Sequence, residues 1–178
     1  MIVKIVTADE RAELQELCAA SIPDIEPNAI PSASADYLYA PLMLGFRRPD
    51  GALIGGLLTC RTQALAAASR TPGLLPPNVA TGHNELDLIA VHPDHRGSGI
   101  GSALIKRAEK NLRARGIRFW FGNVTEDLDA DQLRTFYRTH NFTICDDGDP
   151  LPQALGWNRW ILPSTEPPLF YFYKHIKR

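Results

Sequence analysis

The chain has 178 residues, 44% hydrophobic and 22% charged, a balance suited to one globular domain with its own core. A formal net charge of -1 offers no cationic excess for nucleic acid, and no apolar run approaches the roughly 20 residues that cross a bilayer. Cys18, Cys60 and Cys145 are far apart, odd in number and form no Cys-x-x-Cys pair, so neither a disulfide framework nor a metal site is expected. The N-terminus turns polar at Thr7, too soon for a signal peptide, and a reducing cytoplasm is the expected location.

Ile2 to Val6 reads as a strand. Thr7-Ala8-Asp9-Glu10 has the form of a capping box, and Leu14, Leu17 and Cys18 follow at helical spacing, predicting a helix to about Ala20. Pro23, Pro27 and Pro31 then mark an irregular stretch. Leu42 to Phe46 and Ala52 to Cys60 form a hairpin across the turn residues Arg47-Arg48-Pro49-Asp50-Gly51. Residues 61 to 83 hold Pro72, Pro76 and Pro77 and are read as an extended loop, with Ala64 to Ser69 long enough for a short helix at most.

Glu85 to Val91 is the next strand. From Gly99, the residues Ile100, Leu104, Ala108 and Leu112 recur every fourth position, an amphipathic helix that Gly116 is placed to end. Arg118 to Val124, Asp131 to His140 and Asn141 to Cys145 continue as strand, helix and strand. A broken stretch from 146 to 168 precedes a last strand at Leu169 to Lys174. A hairpin followed by alternating strands and helices predicts one α/β domain over residues 1 to 178. Its mixed central sheet is flanked by helices, with extended loops before the central strand and before the last one.

The chemistry concentrates where the central strand meets the amphipathic helix: Val91-His92-Pro93-Asp94-His95-Arg96-Gly97-Ser98-Gly99-Ile100-Gly101. Three glycines in five residues let backbone approach a ligand closely, and the positive end of a helix dipole favours phosphate or pyrophosphate. Arg96 adds charge, and the hydroxyls of Ser98 and Ser102 add donors. A P-loop is excluded because Gly101 is followed by Ser102 and Ala103 with no lysine. The dinucleotide fingerprint is excluded because the sixth residue from Gly97 is Ser102.

The segment instead resembles motif A of the GNAT (Gcn5-related N-acetyltransferase) superfamily, Arg/Gln-x-x-Gly-x-Gly/Ala, through Arg96, Gly99 and Gly101, with Val91 and Pro93 supplying the usual Val-x-Pro. Phe136-Tyr137-Arg138-Thr139-His140-Asn141-Phe142 is similar to the family's Leu-Tyr-x-x-x-Gly-Phe, so the likeness covers about residues 84 to 145. Asn141 stands where the family has glycine, and asparagine also tolerates left-handed backbone. Ala130 stands where the family often has asparagine, and the loop Thr125 to Asp129 reads as slightly long.

The resemblance implies acetyl-coenzyme A as co-substrate and an amine, small or peptidic, as acceptor; it allows a homodimer. It implies that the backbone of Ile89, Ala90 and Val91 binds the pantetheine arm and that Arg96, Gly97, Ser98, Gly99, Ile100, Gly101 and Ser102 hold the pyrophosphate. By the same likeness Tyr137 is the general acid and Glu85 the general base. Asp87 lies on the same strand face as Glu85 and is a second candidate. The alternatives in the residues themselves are a non-catalytic acyl-coenzyme A-binding module and an acyltransferase using another acyl donor. His92 and His95, spaced His-x-x-His, read as solvated loop residues, Trp157 and Trp160 as packing, and neither Cys60 nor Cys145 has an adjacent base for a covalent route.

Overall fold

A computed structural model describes residues 1–68, 70–71, 73–125, 129–161 and 167–177. The predicted loop Thr125 to Asp129 therefore lies largely outside the described residues. Seven strands are hydrogen-bonded in the order β1-β2-β3-β4-β5-β7-β6, and all the named pairings but the parallel β4–β5 ladder are antiparallel. The chain divides into two compact units, Met1–Cys60 with Asp87–Lys110, and Arg61–Leu86 with Asn111–Arg178. Strand β4 (His83–Val91) and helix α5 (Ile100–Ala114) run through both.

In the first unit β1 (Ile2–Lys4), β2 (Leu42–Arg47) and β3 (Leu53–Cys60) form an antiparallel meander. Helix α1 (Ala8–Ser21) begins with the capping box read from sequence: the Glu10 amide donates to Thr7 Oγ1 at 3.2 Å, and Glu10 Oε2 accepts from the Thr7 amide at 2.9 Å. Adjacent glycines let helices close on both faces of β3. A Cβ at Gly55 would lie 2.5 Å from Ile100 of α5, and one at Gly56 would collide with Leu14 of α1. Leu14, Leu17, Cys18, Met43, Leu58, Leu88 and Ala90 form the core on the α1 side.

The proline-marked stretch after α1 is ordered by one arginine. Arg11 is buried and donates from Nη1 and Nη2 to the Asp36 carboxylate at 2.9 and 2.6 Å, and from Nη1 to the Pro31 carbonyl at 2.8 Å. This bidentate pair anchors the one-turn α2 (Asp36–Tyr39), which the sequence reading did not assign.

In the second unit β5 (Phe119–Val124) pairs in parallel with the start of β4, His83, Asn84 and Glu85 lying opposite Phe119, Trp120 and Phe121. Strand β7 (Phe170–His175) lies antiparallel to β5 over six residue pairs, and β6 (Thr143–Ile144) closes the edge. One face is aromatic beneath α6 (Ala130–Thr139): Trp120, Phe142, Phe170 and Phe172 are all buried there with Tyr137. The opposite face is covered by the two inserts, where Leu65, Leu75, Val79, Leu151, Ala154 and Trp160 pack on Phe119 and Phe121.

The segment 61 to 83 corrects the extended-loop reading, because it contains α3 (Gln63–Ala68) and α4 (Pro77–Gly82). Helix α3 is alanine-rich, and Thr62 Oγ1 accepts from the Leu65 amide at 3.1 Å. The prolines taken as breakers act as a starter in α4, since Pro77 sits at the first helical position, where no amide donor is needed. The insert before β7 keeps its irregular character in the described residues, with a tight Ala154–Trp157 bridge whose Leu155 carbonyl accepts from Asn78 Nδ2 at 2.7 Å.

His83, only 1% exposed, is the polar residue inside this packing. Its Nδ1 pairs with the Val79 carbonyl, its ring lies 5.5 Å from that of Trp160, and its Nε2 has no partner among the described residues. Burial pushes its pKa down to about 4 against the Val79 hydrogen bond, and the charge of Arg61 lowers it further. The unfolded chain takes a proton near pH 6.5 that the folded chain refuses until about pH 4. The stability tied to neutral His83 is therefore complete above pH 6.5 and is lost as pH falls toward 4, by up to about 3 kcal/mol. Urea titrations across that window should show the stability gap between wild type and a His83→Phe variant shrinking by a comparable amount. A constant gap would show that His83 is not held neutral.

Candidate active site

In the first unit, β4 ends at Val91 and the His92 amide donates to the Ile54 carbonyl at 3.0 Å, carrying the chain off the sheet. A single 3-10 turn, Pro93–His95, follows, with His92 Nδ1 accepting from the Asp94 amide at 3.3 Å. Arg96 is extended, Gly97 has φ 74° and Gly99 φ 81°, and α5 begins at Ile100. A Cβ at either glycine would meet no protein atom within 4 Å. Glycine is needed there for its left-handed backbone, and the surface above stays open.

The Ala103 amide donates to the Gly99 carbonyl at 3.0 Å, closing the first turn of α5. No acidic residue lies in this first turn to offset the helix dipole. Ile100 is buried, whereas Arg96, Gly97, Ser98 and Gly99 are exposed and Gly101 and Ser102 half-buried. Ser98 Oγ donates back to the His95 carbonyl at 2.5 Å, which ties the loop to itself. Arg96 braces it to the rest of the unit: Nη2 donates to the Ser21 carbonyl at the end of α1, 2.8 Å away, and Nε to the Val91 carbonyl at 3.4 Å. A guanidinium has five donors, so this bracing leaves Arg96 capacity for an anion. Ala90 points into the core, while Ile89 and Val91 are half-buried on the alternate face.

In the second unit Tyr137 is buried, its ring stacked on Phe172 at 3.8 Å between centroids and meeting Phe142 edge-on at 5.7 Å. Asn141, just beyond α6, has φ 59°, a left-handed conformation that asparagine tolerates. Burial drives the Tyr137 phenol well above its ordinary pKa. It therefore stays protonated through the neutral range. Glu85 is half-buried on β4, and Asn123 Nδ2 of β5 donates to its Oε1 at 3.4 Å. Asn123 escaped the sequence reading because only the parallel β4–β5 register brings it beside Glu85.

Asp87 lies two residues beyond Glu85 on the same strand face, its carboxylate open to solvent yet flanked by enough protein to be desolvated, which pushes its pKa up to about 6. Cys18 and Cys145 are poor nucleophiles. Burial raises Cys18 to about 12, and Cys145 is raised by burial and by the charges of Asp149 and Asp146. Trp160 is fully packed, and Trp157 is half-buried with Nε1 donating to the Arg159 carbonyl at 2.9 Å. Among the described residues no group of His, Cys, Asp and Glu could hold a metal, and no helix is long and apolar enough to cross a membrane.

Residues 58–144 are similar to the acetyltransferase (GNAT) domain. An acetyltransferase from Pectobacterium atrosepticum is 55% identical over 42 residues, 24% of this chain and 30% of that protein. The chain thus aligns with under a third of the length of the curated relatives it matches. A GNAT-family acetyltransferase structure from Staphylococcus aureus superposes with TM-score 0.68 at 14% identity, covering 99% of both chains. An aminoglycoside 6'-N-acetyltransferase complexed with coenzyme A superposes with TM-score 0.64 at 15% identity, covering 100% of this chain and 98% of that one. These likenesses establish the fold across the full length: a seven-stranded, mostly antiparallel sheet flanked by helices.

Proposed function

We propose that this protein is an acetyl-coenzyme A-dependent N-acetyltransferase in which an acceptor amine attacks the thioester directly. The reading rests on one observation above all. The left-handed Gly97 and Gly99 open the start of α5, whose first turn is free of acidic residues, immediately beyond β4. Such a helix start receives a pyrophosphate through its backbone amides and its dipole, with Arg96 beside it for added charge. The resemblance assigns the pantetheine arm to the backbone of Ile89, Ala90 and Val91, and an aminoglycoside 6'-N-acetyltransferase of the same fold is complexed with coenzyme A.

In this reading Glu85 takes a proton from the acceptor ammonium, and the freed nitrogen lone pair attacks the thioester carbonyl carbon. A backbone amide near Val91 stabilises the oxyanion that forms. As the carbon–sulfur bond breaks, Tyr137 hands its phenolic proton to the departing thiolate and regains one from the positively charged nitrogen of the tetrahedral intermediate, leaving the neutral amide. Asp87, part-desolvated on the same strand face, attracts the cationic acceptor. Small-molecule and peptide amines both satisfy this chemistry, and location in the cytoplasm follows from the cofactor pool the reaction needs.

The test pairs calorimetric titration of acetyl-coenzyme A with thiol release across a panel of amines. Tyr137→Phe should lower turnover about 100-fold with coenzyme affinity unchanged, and Glu85→Gln should act similarly on the attack step. Turnover unaffected by Tyr137→Phe would remove the tyrosine from the reaction. Absence of acetyl-coenzyme A binding would withdraw the assignment.

A further inference from the structure

Helix α1 ends without a charge of its own to meet its dipole. Its last turn, Cys18 to Ser21, holds no basic residue, and the Ile22 amide closes it by donating to the Cys18 carbonyl at 2.8 Å. A cation is supplied from elsewhere in the same unit: Arg96 Nη2 donates to the Ser21 carbonyl at 2.8 Å, and Arg96 Nε to the Val91 carbonyl at 3.4 Å. A guanidinium at the negative end of a helix contributes both charge and a hydrogen bond. One side chain of the glycine loop thus caps a helix that ends 75 positions earlier in the chain.

The strap of residues 22 to 36 that leaves this cap is held back against α1 by two side chains. Gln15 Nε2 donates to the Glu26 carbonyl and Gln15 Oε1 accepts from the Ile30 amide, both at 3.0 Å, so one side chain ties two points of the strap to the helix. Arg11 lies one turn earlier on the same helical face and grips the Pro31 carbonyl and the Asp36 carboxylate. Ile30 is buried in the core on this side, with Ile22 and Ile25 packed against it. Together these contacts fix the direction in which the chain leaves Ser21, and with it the carbonyl that Arg96 meets.

We propose that Gln15 and Arg11 are positioning residues for the coenzyme loop, acting through the end of α1 and Arg96. The inference rests on the reading of that loop as the pyrophosphate site. Two of the five donors of Arg96 go to backbone carbonyls, which leaves its outer edge to meet an anion from a place set by α1. A pinned strap pre-orders Arg96 for the anion, and the bound anion tightens the strap in return, because coupling between two binding events is reciprocal.

The test combines amide exchange with calorimetry on the full chain, with coenzyme A as the probe. In the free protein Arg96→Met should speed exchange roughly threefold at the amides of Ile22 and Ile30, which donate to Cys18 and Gln15. In the wild type, coenzyme A should slow exchange at the same two amides. Gln15→Leu and Arg11→Met should each weaken coenzyme A binding about threefold to tenfold, but less than about twofold in an Arg96→Met background. That contrast separates positioning through Arg96 from a general loosening of the fold, which would cost the same affinity in both backgrounds. Unchanged exchange in Arg96→Met, unchanged affinity in both strap variants, or an equal loss in both backgrounds overturns the proposal. The functional reading fails separately: a wild type that binds no coenzyme A withdraws it, and exchange in the free protein still decides whether Arg96 braces the strap.

Discussion

Gly99→Glu should weaken acetyl-coenzyme A binding about 100-fold while leaving a folded protein. Two costs separate cleanly at this position. The first is conformational: Gly99 has φ 81°, and a side chain forced into left-handed backbone costs about 1–2 kcal/mol of stability. For a chain of this length that lowers the thermal midpoint by only several degrees. Sterics add nothing, since a Cβ there meets no protein atom within 4 Å. The second cost falls on the ligand. A carboxylate at the start of α5 offsets the helix dipole and repels a pyrophosphate at close range, an effect of about 2–3 kcal/mol at a partly screened surface. Calorimetry would read the affinity and differential scanning the stability. Affinity within threefold of wild type would show that no anion binds at this helix start.

Gly122→Ala should be the more damaging change to the fold, costing about 2–4 kcal/mol although it adds a single methyl group. The backbone of Gly122 is not left-handed, so handedness is irrelevant. The added Cβ would stand 2.7 Å from the Leu86 carbonyl oxygen and would overlap the ring of Phe172. The carbonyl belongs to β4 and cannot rotate away, and Phe172 is buried with its ring stacked on Tyr137. Relief requires moving β4 away from β5 next to Glu85, or unstacking Tyr137. Both stability and turnover should therefore fall together. Urea unfolding would show a lower midpoint at unchanged m-value. A loss under 0.5 kcal/mol would mean that the two strands separate freely at this point, and the close approach at Gly122 would lose its structural meaning.

The loop's side chains matter to these outcomes as much as its glycines. Arg96 is the motif's basic residue, yet its guanidinium is already tied to the Ser21 and Val91 carbonyls. It fixes the loop against α1, a role that residue identity and spacing do not announce, because its partner Ser21 lies 75 positions earlier in the chain.

What the sequence determined by itself is what depends on neighbours along the chain. The α1 capping box, the amphipathic period of α5, the hairpin turn before β3 and the glycine spacing after β4 are all written within a few residues, and each was read within a residue or two of its place. Helices α2 and α4 were not assigned, and α3 was allowed only as a short helix at Ala64 to Ser69 within a loop, since each is a few residues long: α2 is held by the distant Arg11, and α4 starts on a proline that reads as a breaker. Tertiary structure alone decided the rest. The stacking of Tyr137 on Phe172, the burial that keeps His83 neutral and the meeting of Glu85 with Asn123 all follow from strand register. Register is set by how whole faces of the sheet bury their apolar side chains, a balance summed over residues far apart in sequence.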